Sequence, residues 1–370
     1  MNYENAKKVV RAVIKANRVP MLLSGPGVGK TSLVGDVHRE IADELNCKPV
    51  FDSLSPGKDE FSLVVFRIGL YQSIDLGGLP IPVEKDGRFV QVRALLENLP
   101  TSGRGIIYMN EYQQGERSTQ ATARQLTLER RIGDYKLPDG WSVVLDGNRK
   151  QDQAGSTAPL SIVTSSVVQI QIDPDPKEWC AWAEAQGIRT EVSSWIAWQG
   201  GAPENFLLNF DPRKSEPFSC PRSIEILSDV LSEVEEIDLP NDVVVETFSG
   251  IVGRSAAEAA NVFFKLYRST LPSIDQAIKD PTGTDLPKGA GVGYVVSAAM
   301  VKRTKLDPTI FENCYKYIER FSGGDTPEML DFYVRTAISA VTSAGHDPLS
   351  ITASESYSNH LDKYRALYAS

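Results

Sequence analysis

Residues 4–17 place Val9, Val10, Val13 and Ile14 at helical spacing, and the pattern stops at Asn17. A short apolar run, Val19 to Leu23, turns into a glycine-rich segment, and Leu33, Val34, Val37 and Ile41 resume the helical period behind it. The order is strand, turn, helix. A second β-rich run, Leu63 to Ile68, precedes segment 78–92, in which Asp86-Gly87 separates two alternating stretches and predicts a hairpin. Gly105–Met109 and Trp141–Leu145 read as buried strands on either side of a helix over Ser118–Glu129. Val167–Ile172 reads as a last strand, ending at Asp173-Pro-Asp-Pro176. Strands alternating with helices predict an α/β fold with a mostly parallel sheet. Beyond Pro176 the helical period takes over (Glu178–Ala185, Arg222–Val234, Ser255–Tyr267, Pro308–Arg320, Thr326–Thr342), and 280–293 and 345–358 read as loops. The expected organisation is a core over 1–175, a linker region over 176–216 and a helical half over 217–370.

The length of 370 residues agrees with about two domains. Its 39 basic and 48 acidic residues give a net charge of −9, without the basic footprint of a protein that coats nucleic acid. The four cysteines (Cys47, Cys180, Cys220, Cys314) form no Cys-x-x-Cys pair and the three histidines do not cluster, which removes the usual signatures of a zinc site or a disulfide framework. The charged N-terminus is unlike a signal peptide, and the uncharged stretch Ala154–Ile172 carries too many hydroxyls and amides for a membrane span. These features together read as a soluble cytoplasmic protein with no membrane span.

The chemistry concentrates in Ser24-Gly25-Pro26-Gly27-Val28-Gly29-Lys30-Thr31-Ser32. A phosphate-binding loop needs glycines so that backbone N–H groups can close around phosphate, a lysine for the β/γ-phosphates and a hydroxyl for Mg²⁺, all at a helix N-terminus. Residues Gly25 to Ser32 are thus the candidate nucleotide-binding set, although Ser24 stands where the motif has its first glycine. At the end of a later strand, Gly-Ile-Ile-Tyr-Met-Asn110-Glu111 offers one polar residue to help hold Mg²⁺ and a carboxylate to orient water. Thr31 and Asn110 are therefore the candidate metal residues and Glu111 the candidate base. Asn148 closes the next strand, where an amide can meet the γ-phosphate, and Arg222 opens a helix in the second half, where it can reach nucleotide from a lid. The absence of an Asn-Lys-x-Asp motif points to ATP over GTP.

In this order, Ser-Gly-Pro-Gly-Val-Gly-Lys-Thr, Ile-Ile-Tyr-Met-Asn-Glu, Glu-Arg-Arg-Ile-Gly-Asp-Tyr-Lys-Leu-Pro-Asp-Gly-Trp, Gly-Asn-Arg-Lys-Gln-Asp-Gln-Ala-Gly and Pro-Arg-Ser-Ile-Glu resemble the MoxR-type AAA+ ATPases, within the dynein-related, AAA_5-like subgroup. The resemblance is dense over about 18–182 and resumes at 217–232. It implies a P-loop NTPase αβα AAA+ core with a parallel sheet, followed by an all-helical lid and C-terminal helical domain. It further implies a ring of six identical subunits with Mg·ATP at their interfaces and a chaperone-like role on protein substrates, often beside a partner bearing a von Willebrand factor A domain. By the same resemblance Lys30, Thr31 and Glu111 take the Walker roles, Asn148 is sensor 1 and Arg222 is sensor 2. The hairpin over 78–92 corresponds to the family's helix-2 insert, and Arg131–Trp141 to its pre-sensor-1 loop.

Two positions depart from the family. Asn110 stands in place of aspartate, and Ser166 in place of the arginine finger, a residue worth about 10³–10⁵ in rate where it acts. The nearest substitutes are Arg130, Arg131 and Arg149. The two departures set a slow ATPase against an alternative, a non-hydrolysing ATP-binding assembly scaffold.

Overall fold

The computed structural model describes residues 1–94, 99–149, 152, 165–199, 206–237, 239–286, 292–322 and 327–364. They form two compact units, one over Met1–Asp173 with Asp211–Lys214, the other over Pro174–Phe210 and Ser215–Ser370. Each is described by itself.

The first unit is a six-stranded parallel sheet with helices on both faces. Its helices are α1 (Tyr3–Lys15), α2 (Lys30–Glu44), α3 (Ser73–Gly77) and α4 (Arg117–Glu129). The sheet strands are β1 (Pro20–Ser24), β2 (Lys48–Phe51), β3 (Glu60–Arg67), β6 (Gly105–Asn110), β9 (Trp141–Asn148) and β10 (Val168–Gln171). Their spatial order is β10-β1-β9-β6-β3-β2, and every pairing within it is parallel. Two antiparallel pairs stand apart: β4 (Leu79–Lys85) with β5 (Arg88–Ala94), and β7 (Arg131–Ile132) with β8 (Tyr135–Lys136). The first is the hairpin expected over 78–92, turning at Asp86-Gly87 with both residues at positive φ (54° and 70°), as a tight primed turn requires.

Helices on both faces explain why the strands read as near-continuous apolar runs. All five residues of β1 are buried, and its side chains alternate between the two layers. Met21 and Leu23 join Val64, Phe66, Ile107, Met109, Val143 and Leu145 against Ala123 and Leu126 of α4. On the opposite face α2 packs over β3 and β6 and buries Leu33, Val34, Val37 and Ile41. The α/β fold class expected from the alternation is the one observed.

The second unit has helices and no strand among its described residues: α5 (Pro176–Ala185), α6 (Thr190–Gln199), α7 (Pro221–Glu236), α8 (Asn241–Val252), α9 (Arg254–Lys279), α10 (Val292–Leu306), α11 (Phe311–Ser322), α12 (Pro327–Ser343), α13 (Leu349–Thr352) and α14 (Glu355–Lys363). Its core is aromatic. Trp195 stacks on Phe206 (5.8 Å between centroids) and meets Phe264 edge-on (6.2 Å), while Phe311 stacks on Tyr333 (5.5 Å).

Several expectations are corrected here. Segment 176–216 is no linker, because α5 and α6 bury Trp179, Cys180, Val192, Trp195 and Ile196 in the core of the helical unit. Residues 345–358 are no loop, since they contain α13 and the start of α14, capped by the Ser354 hydroxyl accepting from the Tyr357 N–H. Strand β2 and helices α6, α8 and α10 have no counterpart among the expected elements. Residues 289–291 of the glycine-rich segment 289–293, and 154–164 of the uncharged run, lie outside the described residues. No described helix is long and apolar enough to cross a membrane.

Gly105 opens β6 where a β-carbon would overlap the Ser62 carbonyl oxygen and lie 2.8 Å from the Trp141 ring. Because a neighbouring backbone cannot yield, Gly105→Ala should destabilise the first unit by about 1–3 kcal/mol. Chemical denaturation of wild type and variant measures it, and equal midpoints would show that the β3 backbone at Ser62 can shift freely.

Candidate functional site

The carboxyl ends of β1, β9 and β6 lie side by side, and the residues that follow them converge. This is where parallel α/β sheets place ligands. After β1, Gly27 and Gly29 adopt positive φ (71° and 94°), a conformation that admits few other residues, and α2 starts at Lys30. Gly29 caps α2 without a side chain, and no acidic residue occupies the first turn. The first N–H groups of α2 have no carbonyl in a preceding turn to meet, so the loop and helix end form a cationic, donor-rich cradle. Phosphate fits such a cradle.

Ser24, the departure from glycine, is fully buried at the end of β1. Its hydroxyl donates to the Gly25 carbonyl (2.8 Å) and accepts from Lys30 Nζ (3.1 Å). Lys30 Nζ also reaches the Gly25 carbonyl and Asn148 Oδ1, each at 3.4 Å. The structure thus brings Lys30 and Asn148 together across β1 and β9, paired in register Ser24↔Asn148. Asn148 is held from behind, its backbone N–H donating to Gln113 Oε1 at 3.0 Å.

On the far side of β9 lies a group absent from the candidates read in the sequence. Asp146 has no exposed surface. Tyr108 donates its hydroxyl to Asp146 Oδ2 (2.8 Å), and Asn110 Nδ2 donates to the same oxygen (3.2 Å) and to the Tyr108 hydroxyl (3.1 Å). The Glu111 N–H donates to Asp146 Oδ1. Burial pushes the Asp146 carboxyl above its ordinary range, while the Lys30 ammonium and then these donors pull it back and the Glu111 charge adds to the rise. Burial, and next the Asp146 charge, push the Tyr108 phenol well up, with the Thr31 hydroxyl pulling the other way, so it remains a donor at neutral pH. Glu111 itself sits in the left-handed region (φ 54°, ψ 42°), an unusual position for a non-glycine residue, with its carboxylate exposed.

Among the candidate nucleotide residues Gly25 and Val28 are buried, Pro26, Gly27, Gly29 and Lys30 half-buried, and Thr31 and Ser32 exposed at the start of α2. The exposed Thr31 hydroxyl and half-buried Asn110 amide are oxygen donors of the kind Mg²⁺ takes, so the residues present fit a Mg–nucleotide. Arg222 lies in the helical unit, in the first turn of α7. Ser166 is an exposed turn residue before β10. Of its proposed substitutes, Arg149 is engaged with Asp152 and Asp173 (2.5 Å each), and Arg130 donates to the Pro138 and Trp141 carbonyls (3.4 and 2.8 Å). Arg131 is mostly exposed, with Glu129 at 3.8 Å.

The sheet, the loop after β1 and the helix behind it define a P-loop NTPase-type α/β fold carrying an appended helical unit. No protein-family profile matches the chain, and no curated protein does. Among solved structures, NtrX from Brucella abortus is similar at 14% identity and a TM-score of 0.37, over 86% of this chain and 64% of that one. The chain therefore spans just under two thirds of that structure's length. A point mutant of Thermotoga maritima RuvB is similar at 14% identity and a TM-score of 0.31, over 98% of this chain and 88% of that one.

Gln113 is almost fully buried and lies against Gly147, where a β-carbon would fall 2.7 Å from its Cδ. Gln113→Ala strips the Asn148 N–H of its acceptor and should destabilise the unit by about 1–3 kcal/mol. Denaturant unfolding checks this; unaltered stability would mean that another acceptor replaces Gln113 at no cost.

Proposed function

We propose that this chain is an AAA+ ATPase of the MoxR type that binds Mg·ATP, hydrolyses it slowly, and works as a six-subunit ring remodelling other proteins. The observation that carries the nucleotide reading is the cradle itself: left-handed Gly27 and Gly29, the uncapped start of α2, and Lys30 held by Ser24 beside Asn148. Lys30 would meet the β/γ-phosphates, and Thr31, with Asn110, would hold Mg²⁺. The bound metal would neutralise charge on the phosphate oxygens. Glu111 would orient the attacking water and accept its proton, Asn148 would hydrogen-bond the γ-phosphate, and Arg222 would take the sensor 2 role that the family resemblance assigns it.

The hairpin supports a role on protein substrates. Leu79, Ile81 and Val83 of β4 share one face with Val90 and Val92 of β5, and all five are exposed. A contiguous exposed apolar strip of this kind marks an interaction surface. A ring would carry one such strip per subunit, and a von Willebrand factor A domain partner is compatible with it.

The second reading, a non-hydrolysing ATP-dependent scaffold, draws on Asn110 and Ser166, which put an amide and a hydroxyl where the family resemblance expects a carboxylate and a guanidinium. Turnover separates the two, since Glu111→Gln should abolish hydrolysis in the motor and change nothing measurable in the scaffold.

Lys30→Ala should weaken ATP binding well over tenfold, more than about 1.4 kcal/mol. Calorimetric titration of both proteins tests it, and unchanged affinity would remove the loop from the nucleotide site. Light scattering with and without a Mg–ATP analogue tests assembly, for which larger particles are expected with nucleotide. A monomer under both conditions would refute the ring.

A further inference from the structure

The carboxylate missing at position 110 is present one strand away. Register pairs Tyr108 with Val144 and Met109 with Leu145, so the next step along the two strands sets Asn110 beside Asp146. Tyr108, Asn110 and the Glu111 backbone direct three donors at the Asp146 carboxylate, the arrangement that suits its ionised form. Because a carboxylate only accepts, it also fixes the Asn110 amide: Nδ2 must face Asp146, leaving Oδ1 on the other side of the group. Two residues along β9 from Asp146, Asn148 Oδ1 accepts from Lys30 Nζ at the head of α2 (3.4 Å).

We propose that Asp146 and Asn110 together replace the single aspartate of the Mg²⁺ site, with Asn110 Oδ1 as the oxygen offered toward the metal and Asp146 as the negative charge behind it. Asp146 is a positioning residue in this arrangement. It polarises the Asn110 amide through a charge-assisted hydrogen bond, and it pins the N–H of Glu111, so one buried carboxylate serves both the metal side and the water side of the site. The inference rests on the nucleotide-site reading above.

Four proteins test it: wild type, Asp146→Asn, the swap Asn110→Asp with Asp146→Asn, and Lys30→Ala. The readout is binding of a fluorescent non-hydrolysable ATP analogue in Mg²⁺ and in EDTA, with Mn²⁺ electron paramagnetic resonance as a direct measure of metal retention. In wild type Mg²⁺ should tighten analogue binding by about tenfold, which is about 1.4 kcal/mol. In Asp146→Asn that enhancement, taken as the ratio of its affinity in Mg²⁺ to its own affinity in EDTA, should drop to about threefold or less, since a neutral contact is roughly half as strong as a charge-assisted one. The swap, which keeps one carboxylate and one amide on the same two strands, should recover the wild-type enhancement and Mn²⁺ signal. Should Asp146→Asn fail to fold, the swap alone decides. A full Mg²⁺ enhancement in Asp146→Asn, or none in a folded swap, overturns the proposal while leaving the nucleotide site standing. Wild type that binds no analogue under either condition, no better than Lys30→Ala, overturns the nucleotide reading instead.

Discussion

A carboxylate with no access to water must be met by donors or it will not stay charged. Asp146 is met by three, and each comes from β6 or the residue after it. That single requirement aligns the end of β6 against β9, sets the Asn110 amide, and holds Glu111 in a left-handed conformation it would not choose by itself. Across β9 the same strand end delivers Asn148 to Lys30, and Gln113 from the turn after Glu111 accepts the Asn148 N–H. The loop after β1, the strand end of β9 and the turn after β6 are therefore one hydrogen-bonded assembly, not three independent motifs.

The sheet makes this assembly possible because parallel strands bring all their carboxyl ends to one edge. A chain that visits β1, crosses out to β2 and β3, and returns through β6 and β9 leaves β1 beside β9 and β10, with the loop to α2 opening at that edge. Burial on both faces fixes strand position: Met21, Leu23, Met109, Val143 and Leu145 lock one layer and α2 covers the other. The register that sets Ser24 beside Asn148 is thus enforced by apolar packing well away from the polar residues it positions. The helical unit is built on a different principle, an aromatic core around Trp195, Phe263, Phe264 and Tyr333 that needs no strand register.

How much of this can be read from the chain follows from how local each feature is. The P-loop is legible because its demands fall on consecutive residues: glycines at two positive-φ positions, then a helix start. The hairpin is legible for the same reason, Asp86-Gly87 being a turn signal on its own. Asp146 is not, although it interrupts an apolar strand. Its partners lie 35 to 38 residues back, and only the β6–β9 register reveals them. Helix α10 escapes because Val295 to Val301 is buried without interruption, which erases the amphipathic period. The prolines and glycines of segment 176–216 suggest a linker, whereas its tryptophans Trp179 and Trp195 carry core contacts that composition does not announce.

The sharing of Asp146 has a consequence for reasoning about any residue in this cluster. Tyr108, Asn110 and Glu111 draw on one carboxylate, so removing any of them changes the surroundings of the other two. Residues in one hydrogen-bond network couple by about 0.5–3 kcal/mol, so their separate effects do not sum. An amide at 110 looks like a loss when the position is considered by itself, as the family resemblance invites. In the network it is the group that permits a carboxylate at 146: an aspartate at 110 would set a second negative charge against the first in a buried site, and like charges at that range shift each other strongly. Asn110 and Asp146 are thus best understood as one choice made at two positions, the identity of each constrained by the other.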